Sequence, residues 1–299
     1  MSARPVIIVL TYNGLDLTLD CLRSLDRQRD ASFDVLIVDN ASPDGSGEAL
    51  RRQRPDIEVL QAPSNLGYAG GNNLGLRHAM QAGAGPFLLL NNDTLLEPDC
   101  VRTLLAALER QPGIGVLGPM VYTWGKGKTI SSAGGRIDWR RGDAMNVGAG
   151  ESDDGQYGPR PVDFINGCGL LITRQAIEKA GLLDERYFMY WEETDWCTRV
   201  GRSGFAVQFE PGARLRHKAT IQSSELGAMA LYYVTRNRVL FFGKHALGRR
   251  KLRTMLHVLH GACRGVWQET RRGRTEHARA IRRAMSDALW GRWGAASVD

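Results

Sequence analysis

Along the first 110 residues, unbroken aliphatic runs alternate with segments whose apolar residues keep helical spacing. Residues 6–10, 35–38 and 87–90 are continuous apolar runs, the pattern of strands buried on both faces of a parallel sheet. Between them Leu17, Cys21, Leu22 and Leu25 are spaced as one face of a helix. A second helix is predicted over 47–54, a short strand over 57–60, and a third helix from within 65–73 to residue 82. Glu97-Pro98 opens a fourth helix. This alternation predicts an α/β fold with a mostly parallel central sheet flanked by helices.

After Glu109 the rhythm changes. Residues 113–122, 164–172 and 205–209 read as strands and 174–180 as a helix. Residues 132–161 are rich in Gly, Asp and Arg and predict a hairpin at 135–139 and a mobile loop around 148–158, the kind of irregular segment that often forms a binding lid. Helical segments run from Tyr232 to about Trp293, where Leu252, Met255, Leu256 and Leu259 form a stripe beside Arg249, Arg250, Lys251 and Arg253.

Three strands end in polar clusters: Thr11-Tyr12-Asn13, Asp39-Asn40 and Asn91-Asn92-Asp93. In a parallel sheet these ends share one edge, where ligands collect. Asp93 there would offer a hard oxygen ligand to a metal-bound diphosphate, although Asn and Asp also suit turns and caps. The segment from Asn65 to Asn73, with Gly67, Gly70, Gly71 and Asn72, supplies small residues that let backbone approach a ligand, and a helix N-terminus that favours anions. It is not G-x-G-x-x-G, so a dinucleotide cofactor is not expected. Glu192, Glu193 and Asp195 sit among Phe188, Tyr190, Trp191 and Trp196. Carboxylates on aromatic surface can have the raised pKa of a general base, and acids in a first helical turn also complement the macrodipole. His217 follows a strand and suits either a metal ligand or a hydrogen-bonded loop histidine.

The chain has 299 residues and 43% apolar content, enough for one large α/β domain with appendages or for two domains. No run approaches the ~18 apolar residues of a membrane-spanning helix. The N-terminus lacks a signal-peptide pattern, and the five scattered cysteines include no C-x-x-C pair, so a reduced cytoplasmic setting is expected without disulfides or structural zinc. The net charge of +7 is uneven: from Arg236 onward 15 Lys and Arg face 4 Asp and Glu, a net +11, while the remainder, 24 basic against 28 acidic, is −4. A basic amphipathic tail suits an anionic membrane surface, with a solvated helical face as the plainer alternative.

Taken in order, the motifs ending β-like runs at Thr11-Tyr12-Asn13 and Asp39-Asn40, the segment Asn65 to Asn73, Asn91-Asn92-Asp93 and Glu192-Glu193-Thr194-Asp195 resemble family 2 inverting glycosyltransferases of the GT-A fold. The likeness spans about residues 4–245 and is greatest to a bacterial rhamnosyltransferase-like branch that builds surface polysaccharides. It implies a catalytic domain over 1–245 with a basic helical extension over 246–299. It implies that Thr11, Tyr12, Asn13, Asp39, Asn65, Gly67, Gly70, Asn72, Asn73, Asn92, Arg236 and Asn237 hold the donor. Asp93, with His217, would ligate Mg or Mn, the first acid of the D-x-D element being replaced by Asn91. Glu193 stands at the base position, commonly Asp in the family, with Glu192 and Asp195 as alternatives. The implied partners are a dTDP- or UDP-linked sugar and a lipid-linked or polysaccharide acceptor, met in the cytoplasm or at the inner face of the membrane. No nucleic acid is expected. A nucleotidyltransferase, or a nucleic-acid binder using the tail, is the alternative.

Overall fold

The computed structural model describes residues 4–218 and 226–296. The first three residues of the N-terminus and the side chain of Arg249, both invoked above, lie outside that description. The first half follows the predicted alternation: β1 (Val6–Thr11), α1 (Leu15–Asp26), β2 (Asp34–Asp39), α2 (Ser46–Gln53), β3 (Glu58–Gln61), α3 (Gly67–Gln81) and β4 (Phe87–Asn91). There follow β5 (Thr94–Leu96), α4 (Cys100–Arg110), β6 (Ile114–Thr123), β7 (Ile130–Ser132), β8 (Gly135–Asp138), β9 (Asp143–Asn146), β10 (Arg160–Pro161), β11 (Gly169–Ile172) and α5 (Arg174–Ala180). A single 3-10 turn at Glu185–Tyr187 leads to α6 (Glu192–Arg202), β12 (Ala206–His217), α7 (Ala228–His245), α8 (Gly248–Arg271) and α9 (Thr275–Leu289).

The main sheet runs β10-β12-β6-β11-β4-β1-β2-β3. Strands β4, β1, β2 and β3 are parallel, and β11 is inserted antiparallel between β4 and β6. Their side chains alternate between two cores: Ile8, Val38 and Leu89 face α3, while Ile7, Val9, Ile37, Leu88 and Leu90 face α1 and α4. Burying each such side chain contributes roughly 1.5–3 kcal/mol. Helix α3 lies close on the sheet because it has no side chain where it crosses: a Cβ on Gly75 would lie 2.8 Å from Ile8 and 2.9 Å from Val38, and one on Gly71 would lie 2.5 Å from Leu10. These glycines therefore bring helix to strand rather than backbone to ligand.

Four expectations change. Only residues 169–172 of the predicted strand 164–172 enter the sheet, because Asn166 Oδ1 accepts the Cys168 N–H and closes a turn ahead of them. The 205–209 strand continues to His217 as β12, bulging between Glu210 and Arg214. Its far end pairs with β5, which was not anticipated. The 148–158 segment is tied down rather than an open lid: Ile130 N–H donates to Glu151 O at 2.8 Å, and the Tyr157 hydroxyl donates to Glu151 Oε2 at 2.7 Å.

Helices α7, α8 and α9 form a layer beside the sheet. Tyr232 of α7 donates to Asp287 of α9 at 2.7 Å, and Thr254 of α8 donates to Trp139 O at 2.6 Å. The chain end returns to the body, with Gly294 N–H on Arg186 O at 2.7 Å and Ala296 N–H on the Tyr233 hydroxyl at 2.8 Å. Among the described residues no helix is long and apolar enough to cross a membrane.

Candidate active site

Parallel register brings the predicted strand ends together: Leu10 pairs with Asn91, and Thr11 with Asp39. Buried Asp39 accepts from both the N–H (3.1 Å) and the hydroxyl of Ser42, and Ser42 Oγ in turn accepts the Asn13 N–H at 2.9 Å. Asn13 has φ +61°, a left-handed conformation that Asn tolerates, and its Oδ1 is buried without a hydrogen bond. Tyr12 stands 47% exposed beside this ledge. Thr11 and Asn92 turn inward instead. The Asn92 amide donates to Thr11 Oγ1 (3.1 Å), Thr18 Oγ1 (3.1 Å) and Asn13 O (3.2 Å), so both side chains fasten β1 to α1.

Asp93 lies in the turn between β4 and β5. The antiparallel register sets His217 opposite Thr94, so the imidazole reaches Asp93 with Nε2 3.0 Å from Oδ1. The Lys218 N–H donates to Asp93 O at 2.9 Å and secures the corner. A carboxylate oxygen and an imidazole nitrogen meeting in a half-shielded corner fit a divalent cation. No third His, Cys, Asp or Glu completes a cluster among the described residues.

The acidic segment is held by a strained turn. Phe188, Tyr190 and Trp191 all have positive φ (+63°, +66° and +75°), which costs about 1–3 kcal/mol each in non-glycine residues. Two buried side chains of α7 enforce it. The Asn237 amide nitrogen lies 2.7 Å from Tyr187 O, 2.8 Å from Met189 O and 2.9 Å from Tyr190 O. Arg236 spends its N–H groups on Asn237 Oδ1, the Tyr232 hydroxyl, Gly294 O, Arg186 O and Tyr187 O. From α3, Ala69 N–H donates to Phe188 O at 3.2 Å, and Gly67 has no room for a Cβ against that carbonyl.

This turn delivers Glu192 and Glu193 to the N-terminus of α6. Burial and the neighbouring Glu193 charge push Glu192 well above the usual carboxylate range. Burial raises Glu193 to about 7, partly opposed by its own N–H and that of Thr194. Among the described residues, neither Oε2 has a hydrogen-bond partner. The Tyr68 hydroxyl, which donates to Gly167 O at 2.7 Å, is pushed up by burial and by both glutamates. Burial raises the Cys168 thiol as well, with added repulsion from Asp93 and Glu193. Asp93 and Glu193 thus both act on the Cys168 thiol, which lies within electrostatic reach of each.

Asp195 is held differently from these glutamates. It is fully buried and meets Arg199 Nε, Lys244 Nζ and His245 Nε2, each at 2.7 Å. Against burial, which would raise it, these partners hold its carboxyl well below the usual range. Such a carboxylate is a structural anchor for α6, not a proton acceptor.

The structure also redirects several donor-contact expectations. Arg236 and Asn237 point into the protein at the turn through Phe188, Tyr190 and Trp191. Asn73 bonds Leu183 through both its oxygen (3.0 Å) and nitrogen (2.9 Å), and reaches Glu185 Oε1 at 2.9 Å. Asn65 accepts from Asn40 and from the Gly67 N–H. Gly70 is buried against Leu66, and the Asn72 amide bonds Tyr68 O within its own helix while its Oδ1 is buried without a hydrogen bond. These residues shape the loop between β3 and α3. Ser42 and Tyr68 were not singled out from sequence, and Asn40 only as part of the Asp39-Asn40 cluster. The Asp39-Asn40-Ala41-Ser42 run carried a signal for two of them, as Asx and Ser side chains cap local backbone.

The profile of glycosyl transferase family 2 matches residues 6–179. The chain is 30% identical over 233 residues to the N-acetylglucosaminyl-diphospho-decaprenol L-rhamnosyltransferase of Mycobacterium tuberculosis, covering 71% of this chain and 76% of that one. It is 20% identical over 256 residues to the dTDP-rhamnosyl transferase RfbF of Shigella flexneri, covering 82% of each. Among solved structures, the mannosyltransferase PcManGT of Pyrobaculum calidifontis in complex with GDP-Man and Mn2+ has a TM-score of 0.61 at 16% identity, covering 97% of this chain and 88% of that chain. That likeness shows the GT-A type of fold.

Proposed function

The chain belongs to glycosyl transferase family 2, and from that premise we propose that it transfers rhamnose from a dTDP-linked donor to a lipid-linked acceptor in surface-glycan synthesis, with inversion at the anomeric carbon. Rhamnose ranks ahead of a UDP-linked hexose because two rhamnosyltransferases match over most of this chain. Family membership favours transfer of a sugar over the nucleotidyltransferase and nucleic-acid alternatives. The single observation that carries the mechanism is the pair of buried, raised carboxylates, Glu192 and Glu193, at the N-terminus of α6, with Glu193 and Asp93 both within electrostatic reach of Cys168.

In this reading Tyr12, Asn13 and Asp39 form the ledge for base and ribose. Asp93 and His217 would hold the divalent cation. When bound, that cation neutralises charge building on the departing nucleoside diphosphate. The imidazole ligand favours Mn over Mg, which prefers an all-oxygen shell. Glu193 takes the proton of the acceptor hydroxyl. The hydroxyl oxygen forms its bond to the anomeric carbon as the bond from that carbon to the diphosphate oxygen breaks, and the electron pair leaves with the diphosphate. One displacement inverts the centre without a covalent nucleophile. Glu192, buried and raised further, stays protonated and spares Glu193 a second negative charge.

We divide the chain into a catalytic unit, 1–245, and a basic extension, 246–299, whose end clamps the catalytic turn through Gly294, and we place the reaction on the cytoplasmic side at the membrane surface. The test is transfer from dTDP-rhamnose and from UDP-hexoses to a lipid-diphosphate-linked sugar, with Mn, with Mg and with chelator. Transfer of rhamnose in Mn is the expected result. Release of pyrophosphate in place of nucleoside diphosphate would overturn the proposal.

A further inference from the structure

Helix α8 turns an apolar stripe away from the protein. Thr254, Val258, Ala262 and Glu269 are its buried positions. At 100° per residue, Leu252, Leu256, Cys263 and Trp267 fall on the opposite side. They are exposed there, Leu252 by 69%, Leu256 by 56% and Trp267 by 54%, and Leu247, just before the helix, by 71%. Arg253, Arg264 and Arg271 are exposed along one edge of the stripe, and the Arg271 guanidinium lies 4.1 Å from the Trp267 ring centroid. The one acid of α8, Glu269, is on the inner side and is committed to Arg272 (3.0 Å) and Arg274 (2.8 Å). The outward face therefore combines large apolar side chains and guanidinium groups with no carboxylate.

We propose that the outward face of α8 is the surface by which this enzyme lies on an anionic lipid bilayer, with Leu252, Leu256 and Trp267 entering the interface and Arg253, Arg264 and Arg271 meeting lipid phosphates. The inference deepens the membrane-surface reading above and rests on it. Apolar area supplies part of the binding and charge attraction the rest, which is how interfacial helices partition. A second copy of the chain fits less well. A symmetric pairing along this stripe would bring arginine rows together with no acid to neutralise them. The surface also connects to the chemistry. Helix α8 follows α7, whose Asn237 and Arg236 hold the turn bearing Glu192 and Glu193.

The test uses the full chain and vesicles of phosphatidylcholine, alone or with about a third phosphatidylglycerol. Wild-type protein should co-sediment with the anionic vesicles, less so at high salt, and little with neutral ones. Leu252→Glu/Trp267→Glu and Arg253→Glu/Arg264→Glu should each reduce anionic-vesicle binding by at least ~10-fold. Transfer to a water-soluble acceptor should stay at the wild-type level, which reports folding and separates this inference from the transferase reading. Equal vesicle binding by the variants, or no binding by the wild type, would overturn it. So would a wild-type dimer that the variants dissociate without any vesicle binding, since the stripe would then be an interface between copies.

Discussion

Replacing Asn237 by Ala separates two roles for one residue. The motif resemblance makes it a donor contact, whereas the structure makes it the clamp on the turn that leads into Glu192 and Glu193. Its amide has two hydrogens and stands 2.7, 2.8 and 2.9 Å from three backbone carbonyls. Removal leaves about two bonds unmade at about 1–3 kcal/mol each, so the expected cost is ~2–6 kcal/mol. For a protein of this size that lowers Tm by roughly 5–20 °C. The same bonds offset the strain at Phe188, Tyr190 and Trp191, so the turn should relax and carry Glu193 with it. A displacement near 1 Å at a catalytic group costs on the order of 10²-fold in rate. Steady-state kinetics with varied donor, run well below the lowered Tm, should show kcat down by about that factor and donor KM little changed. Donor KM raised tenfold with kcat intact would refute the clamp and restore the donor-contact role. A lowered Tm with normal kcat and KM would show that the turn is structural only.

Glu193→Gln should lower kcat by ~10²–10⁴-fold with donor affinity kept. Because burial lifts Glu193 to about 7, wild-type kcat/KM should rise with pH through that value as the base ionises, and the variant should lose this limb. The linkage has the opposite sign for stability. A folded pKa above the unfolded one means the native state binds more protons, so this group's contribution falls as pH rises from about 4.5 to 7, which denaturant titrations across that window would reveal. Asp93→Asn and His217→Ala should each weaken Mn-dependent nucleotide-sugar binding and reduce turnover by at least ~10²-fold; near-wild-type turnover at saturating Mn would remove them from the site. Asp195→Asn should destabilise by about 3–5 kcal/mol, because Lys244 and Arg199 then lose a buried counter-charge. The wild-type anchor should itself weaken as acid protonates Asp195, well below its usual titration range, and an unchanged urea midpoint for the variant would contradict the assignment.

Local pattern determined the sheet and its chemical edge. Continuous aliphatic runs such as residues 87–90 can be satisfied only by burial on both faces, and in a parallel sheet their polar ends must emerge together, so Asp39 and Asp93 were legible as edge residues. The Glu192–Glu193 pair was visible as acids among aromatic residues, but acids in a first helical turn also complement the macrodipole, and only their burial in the fold raises them. Which amides and guanidinium groups face a ligand was not legible. Asn73, Asn92, Arg236 and Asn237 offer the same donors to a diphosphate as to a carbonyl, and only the return of α7 to residues 187–190 and of β1 to α1 decides between them. Asp195 is separated from Glu193 by one residue, yet it meets Arg199, Lys244 and His245, two of them about 50 positions further along the chain. The stripe on α8 shows the same division. Its periodicity was readable, but whether Leu252 points inward or outward depends on which side Val258 and Ala262 find α7 and the β8–β9 hairpin. Sequence specifies donors, charges and apolar area, and contacts between distant segments determine what each of them meets.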